Sequence, residues 1–131
     1  MSKCVFCSEL ERKVIVENEL SVAFWDQFPV NEGHALVIPR RHVATYFEAT
    51  FEEIASINQL IFQVKDILDE KYNPQGYNIG INVGEAAGQT IFHLHVHVIP
   101  RYEGDVEDPR GGIRNIKESI VPYYGKEGNS N

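Results

Sequence analysis

The chain reads as an α+β domain, a mainly antiparallel sheet of five strands carrying one long helix. Three observations predict this. Short stretches rich in β-branched and aromatic residues, separated by turn residues, lie on both sides of a single long segment with helical periodicity. That segment opens on a Thr-x-x-Glu capping pattern, Thr50 with Glu53, and closes at Asn73-Pro74. The last two strand-like stretches alternate residue types at period two, as a sheet with two unlike faces requires. With 131 residues the chain is long enough for one core and too short for two, so it reads as one domain over 1–131.

The elements follow in order. Residues 12–17 (RKVIVE) predict a strand and Asn18-Glu19 a turn, with residues 20–25 (LSVAFW) as the hairpin partner. Residues 34–38 (HALVI) predict a third strand, stopped by Pro39. Behind Thr50, the residues Phe51, Ile54, Ala55, Leu60, Ile61, Val64, Ile67 and Leu68 form an apolar stripe that must lie on the sheet. In residues 77–83, Tyr77, Ile79, Ile81 and Val83 share one face and Asn78, Gly80 and Asn82 the other. In residues 91–99, Phe92, Leu94, Val96 and Val98 point one way and His93, His95 and His97 the other. A glycine-bracketed loop, 84–90, should join this pair antiparallel and lay the polar face of one strand beside the histidines of the other. Residues 102–114 read as loop, and 129–131 as a frayed end.

Composition removes several classes of function. Apolar residues make up 43% and charged residues 24%, as in ordinary globular domains. A formal charge of −7 argues against a grip on nucleic-acid polymers, though a pocket can still hold a small nucleotide. No apolar run reaches the roughly 18–20 residues of a membrane span, and Met1-Ser2-Lys3-Cys4 lacks the apolar stretch of a secretory signal. Two cysteines three positions apart form no disulfide framework, which points to a reducing cytoplasm.

Three of the five histidines stand at period two on one apolar strand. Packing does not explain them, because burying three imidazoles on one face demands partners for every ring nitrogen. Nor do they suit a single metal ion. At roughly 3.3 Å per residue, His93 and His97 lie about 13 Å apart along a flat strand, too far to converge on bonds near 2 Å. The reading that uses all three makes one neutral imidazole a nucleophile, with its neighbours orienting it and binding charge.

The stretch His93-Leu94-His95-Val96-His97-Val98-Ile99 resembles, at every position, the signature of the histidine triad (HIT) superfamily. Phe24-Trp25-Asp26 resembles its nucleoside-side motif, residues 34–39 its strand before the helix, and 82–90 its phosphate loop. The resemblance covers 4–101, leaving 102–131 as a tail, partly loop. It implies a HIT-like fold with a short second helix beside the long one, and hydrolysis or transfer at the α-phosphorus of a purine nucleotide. By the same resemblance His95 is the nucleophile that becomes nucleotidylated, and the main-chain carbonyl of His93 holds its ring in the right tautomer. His97 and His34 should lie near the phosphates, Asn82, Gln89 and Thr90 should donate to phosphate oxygens, and Asp26 should take the ribose hydroxyls. Gln89 before Thr90 and the ending Ile99-Pro100-Arg101 favour the dinucleoside polyphosphate hydrolase branch over the nucleoside phosphoramidase branch. Family members are typically homodimers that meet through the long helix and the strand before the loop.

Cys4-x-x-Cys7 is half a zinc site. His42 and His93 are the expected further ligands, since some bacterial triad proteins bind zinc through these four positions. Such a site would be structural and would pin the N-terminus to the catalytic strand. A redox pair is the rival for the cysteines, a non-catalytic zinc-stabilised nucleotide-binding module the rival for the whole protein, and an enzyme using a His-x-His metal pair a third. Arg101 and the 108–114 loop, with its arginines and glycine pair, are left outside the site.

Overall fold

Sheet alternation and helical periodicity meet in a single layer of packed side chains. The structure is a computed structural model and describes residues 4–8 and 12–117. The strands are β1 (Val14–Glu17), β2 (Ser21–Trp25), β3 (Ala35–Pro39), β4 (Gly76–Gly80) and β5 (Val96–Arg101), and the helix is α1 (Phe51–Tyr72). The sheet order is β1-β2-β3-β5-β4, with every neighbouring pair antiparallel. This is the α+β, five-stranded antiparallel architecture with one long helix that the sequence predicts, accompanied by three single-turn 3₁₀ helices.

The helix begins and ends where its residues dictate. Thr50 Oγ1 accepts from the Glu53 amide at 3.0 Å and Glu53 Oε1 accepts from the Thr50 amide at 2.9 Å, closing the capping box. At the far end Asn73 adopts φ 52°, a left-handed conformation that asparagine tolerates. Ile57, Leu60, Val64 and Leu68 are buried against Ala23, Ala35, Val37, Leu94, Val96 and Val98. Phe51, expected on that stripe, is instead 89% exposed. The opposite sheet face carries Val22, Phe24, Leu36 and Ile38, with Phe6 packed on them.

β1 begins at Val14 rather than at 12, and the last two strands depart further from expectation. β4 stops at Gly80 rather than at 83. The histidine strand, expected over 91–99, becomes regular only at Val96 and runs on through Pro100 to Arg101. Before Val96 its partners are no longer sheet: the Leu94 amide donates to the Val43 carbonyl, in the loop after β3. Beyond Val98 the β3 ladder has ended, and the Pro100 carbonyl takes the Asn31 amide instead. A proline nitrogen facing that side therefore forfeits no ladder bond. The expected pairing of faces is present, with Gly80 opposite His97 and Asn78 opposite Ile99. Among the described residues no helix is long and apolar enough to cross a membrane. The expected fraying of 129–131 lies outside the described residues.

Candidate active site

β5 and the extended residues before it present the three histidines to the sheet face opposite α1. His95 is 8% exposed and lines a cleft of about 680 Å³, together with His97, Asp26, Asn82 and Thr90 among others. Its Nδ1 lies 2.9 Å from the main-chain oxygen of His93. A carbonyl only accepts, so Nδ1 carries the proton and Nε2 keeps a lone pair. The ring of Phe6 stands edge-on to His95, 5.0 Å between centroids.

A second chain of contacts fixes His97. The Val30 amide donates to His34 Nδ1 at 3.0 Å, which puts the His34 proton on Nε2. That Nε2 lies 3.0 Å from His97 Nδ1 and 3.3 Å from Asp26 Oδ2. His97 Nδ1 is thus an acceptor, and the proton of the neutral ring sits on Nε2. Burial, helped by the neighbouring His95 and His34, pushes the His97 pKa down to about 4. Burial also lowers the pKa of His34, against the pull of Asp26. The ligand atoms of Asp26, His34 and His97 are close enough to suggest a metal triad. The protonated His34 Nε2 has no lone pair to offer one, so the cluster works as a hydrogen-bonded relay.

Beyond His93 lies the cysteine cluster. His93 is fully buried, and its Nε2–H donates to the Pro39 carbonyl at 2.9 Å. The Nδ1 lone pair faces Cys4 Sγ at 3.5 Å and Cys7 Sγ at 3.6 Å, while His42 Nδ1 lies 3.2 Å from Cys7 Sγ. Burial lowers the His93 pKa and so keeps that lone pair available. The four expected ligands therefore do come together.

Other expected residues fall differently. His34 stands behind His97 rather than in the cleft lining. Gln89, expected to reach phosphate, is 2% exposed and fully engaged with main chain. It accepts from the Gly84 amide at 2.9 Å and donates to the carbonyls of Ala44 at 2.7 Å and Ile91 at 3.1 Å. Its amide braces the loop that presents Thr90 and Asn82, both exposed. Asp26 uses Oδ1 to accept from the Phe28 amide at 2.8 Å and still borders the cleft. Arg101 forks onto Asp105 at 2.7 and 2.8 Å and also donates to Asn78, so it is structural. Sequence reasoning missed Phe6, whose place between the two cysteines was the available signal.

The comparisons with known proteins agree with this geometry. The family model of the HIT domain matches residues 8–104. An uncharacterized HIT-like protein of Methanocaldococcus jannaschii is 38% identical over 118 residues, 86% of this chain and 91% of that one. Two Schizosaccharomyces pombe proteins have named activities. An asymmetrical bis(5'-nucleosyl)-tetraphosphatase is 35% identical over 73% of this chain and 53% of its own length. An adenosine 5'-monophosphoramidase is 36% identical over 75% of this chain and 74% of its own. The crystal structure of a Zn-bound histidine triad family protein from Mycobacterium smegmatis superposes with a TM-score of 0.71 at 31% identity, over 92% of this chain and 84% of that one. With three histidines at period two on β5 and the residues just before it, and the family model matched over residues 8–104, the chain belongs to the HIT domain family.

Proposed function

We propose that the chain cleaves a purine nucleotide at its α-phosphorus through a nucleotidyl-His95 intermediate. The observation that carries this is the 2.9 Å contact of His95 Nδ1 with the His93 carbonyl, which leaves Nε2 as a lone-pair nucleophile in the cleft. Nε2 attacks phosphorus, the bond to the leaving group breaks, and its electron pair departs with that group. Water then attacks the same phosphorus, its proton passes to bulk solvent, and the N–P bond returns its electron pair to His95 Nε2. In this reading His97 Nε2–H and the hydroxyl of Thr90, which border the cleft with Asn82, donate to phosphate oxygens as charge builds there. Asp26 would accept from the ribose diol.

Dinucleoside polyphosphates are the favoured substrate and adenosine phosphoramidates the second. The two S. pombe relatives stand at nearly equal identity. Gln89 and Arg101, which favoured the first in the sequence, are both occupied within the fold. The discriminating experiment incubates the chain with diadenosine tetraphosphate and with adenosine 5'-monophosphoramidate, then quenches for mass spectrometry. An AMP adduct that disappears in His95→Ala, with turnover reduced at least about a thousandfold, is the expected result. Binding of AMP without adduct or turnover would mean a nucleotide-binding module. Turnover that survives His95→Ala and is lost to a chelator would mean a metal enzyme.

We propose further that zinc is held by Cys4, Cys7, His42 and His93. A tetrahedral ion with Zn–S near 2.3 Å and Zn–N near 2.0 Å sets sulfur and nitrogen about 3.5 Å apart, and the three sulfur–nitrogen contacts here span 3.2 to 3.6 Å. The Pro39 carbonyl supplies the outer acceptor that a ligating imidazole ordinarily has. Four protein ligands leave no open position, so the ion would be structural. Stoichiometric zinc in protein purified without chelator is expected; none, with both thiols titrating, would refute the site. Cys4 and Cys7, not joined in a disulfide, fit a reducing cytoplasm, and the exposed apolar side of α1 and β4 fits a homodimer.

A further inference from the structure

The turn that offers two thiols to a metal also offers a side chain to the cleft. The Cys7 amide donates to the Cys4 carbonyl at 3.2 Å, folding residues 4–7 into a tight turn. Both sulfurs face His93 and His42. Val5 and Phe6, between them, border the cleft instead, as does Ser8 after them. Phe6 touches both parts of the site at once. Its ring is edge-on to His95 at 5.0 Å, to Phe24 at 5.6 Å and to His93 at 6.1 Å. Arg12 donates to its carbonyl at 2.9 Å. With Phe24 and Leu36, Phe6 makes the apolar end of the cleft, suited to the flat face of a base.

The sequence separation gives the turn its significance. Residues 4–7 reach His93 across more than eighty positions of chain and His42 across 35 from Cys7. No strand of the sheet includes the turn, since β1 begins at Val14. Its place against the cleft depends on side-chain contacts and, once loaded, on metal–ligand bonds. Whatever fixes the thiols fixes Phe6, and whatever presses on Phe6 holds the thiols near the two imidazoles.

We propose that metal at Cys4, Cys7, His42 and His93 and nucleotide in the cleft bind with positive coupling, transmitted by Phe6. The inference rests on the nucleotide and zinc readings above and adds to them a thermodynamic link. Coupling between two ligands is reciprocal, so each must tighten the other by one common factor. A rigid metal knuckle removes the freedom that the turn would otherwise lose when the base packs on Phe6. The expected factor is about tenfold, within the ordinary range for coupled sites.

The test uses the full chain, AMP as the cleft probe and Zn²⁺ as the metal. Calorimetry measures AMP affinity for zinc-loaded and chelator-stripped protein. Competition with a chromogenic chelator measures zinc affinity with and without saturating AMP. The second measurement starts from loaded, folded protein and reads the coupling even where stripping lowers stability. AMP binding about tenfold tighter with zinc, and zinc binding tightened about tenfold by AMP, is the expected result. Phe6→Ala, which leaves all four ligands in place, should retain zinc and bring both factors to about one. Equal AMP affinity in the two states, with both ligands bound, would overturn the coupling alone. Undiminished coupling in Phe6→Ala would overturn Phe6 as its carrier. AMP bound by neither form would overturn the nucleotide reading, and zinc bound by neither would overturn the metal site, each taking the coupling with it.

Discussion

At the scale of single residues, one main-chain hydrogen decides what several side chains can do. The Val30 amide at His34 Nδ1 forces the His34 proton outward, makes His97 Nδ1 an acceptor and leaves the His97 proton on Nε2, at the border of the cleft. Both rings are neutral at pH 7, with His97 at about 4 against an ordinary 6.5. Between those two values the unfolded chain binds more protons than the folded one. The contribution to stability is therefore complete above about pH 6.5 and is lost as pH falls toward about 4. Denaturation midpoints at constant ionic strength should fall over that interval, by on the order of 2 kcal/mol at its acid end. His97→Asn should flatten the slope, whereas an equally steep slope in that variant would assign it to other groups. Gln89 gives a different kind of residue test. Gln89→Ala leaves the Gly84 amide and the Ala44 and Ile91 carbonyls unpartnered, and should cost about 2 kcal/mol of stability. Thr90→Ala, at an exposed position, should leave the melting temperature unchanged and raise KM. A Gln89→Ala protein with wild-type stability and raised KM would return Gln89 to the phosphates.

At the scale of elements, the first turn of α1 holds more than its own amides. Glu53 is buried at 5% exposure and closes the capping box, and it also takes a fork from Arg41 at 2.8 and 2.9 Å. Arg41 precedes His42, so this pair ties the loop bearing a proposed metal ligand to the helix. The Arg41 contact is the main reason that the Glu53 pKa is lowered. Glu53→Ala should destabilise by about 1–2 kcal/mol through the lost cap, and Arg41→Ala, at an exposed position, by less. Equal losses in urea denaturation would mean that the cap contributes nothing. The cap itself was legible, because Thr-x-x-Glu is a local pattern; the Arg41 pairing was not, because its partner lies 12 residues upstream with no periodic mark. The histidine strand divides in the same way. Its period-two faces were legible, but its ladder begins only at Val96, because β3 ends at Pro39 and the Pro39 carbonyl takes an imidazole rather than an amide. The meeting of Cys4, Cys7, His42 and His93 was legible only through the family resemblance, since Cys-x-x-Cys by itself marks half a site. The role of Phe6 was hidden because a residue between two ligands reads as spacer until the turn shows which way it faces.

At the scale of the whole molecule, the two edges of the sheet are unlike. β1 is short, and its register with β2 shifts between Val14 and Val16, an irregularity that blunts an edge against further pairing. β4 closes the other side with five residues in regular register. Beside it, α1 turns Phe62 outward at 70% exposure, and Ile79 of β4 is 48% exposed. α1 runs into β4 through a short turn and so returns antiparallel to it, with Tyr77 bonded to Asp69 at 2.7 Å. Phe62 of α1 and Ile79 of β4 are the exposed apolar side chains that the helix and the edge strand offer here. A twofold axis would let this surface meet its own copy, with β4 facing β4. Burying such a surface favours association in proportion to the apolar area removed from water. Sedimentation velocity should therefore give a dimer, and the melting temperature should rise with protein concentration. Phe62→Glu, at a position that contributes nothing to the monomer's core, should sediment as a monomer that keeps its circular dichroism. A wild-type monomer would remove the dimer, and a dimeric Phe62→Glu would move the interface off this face.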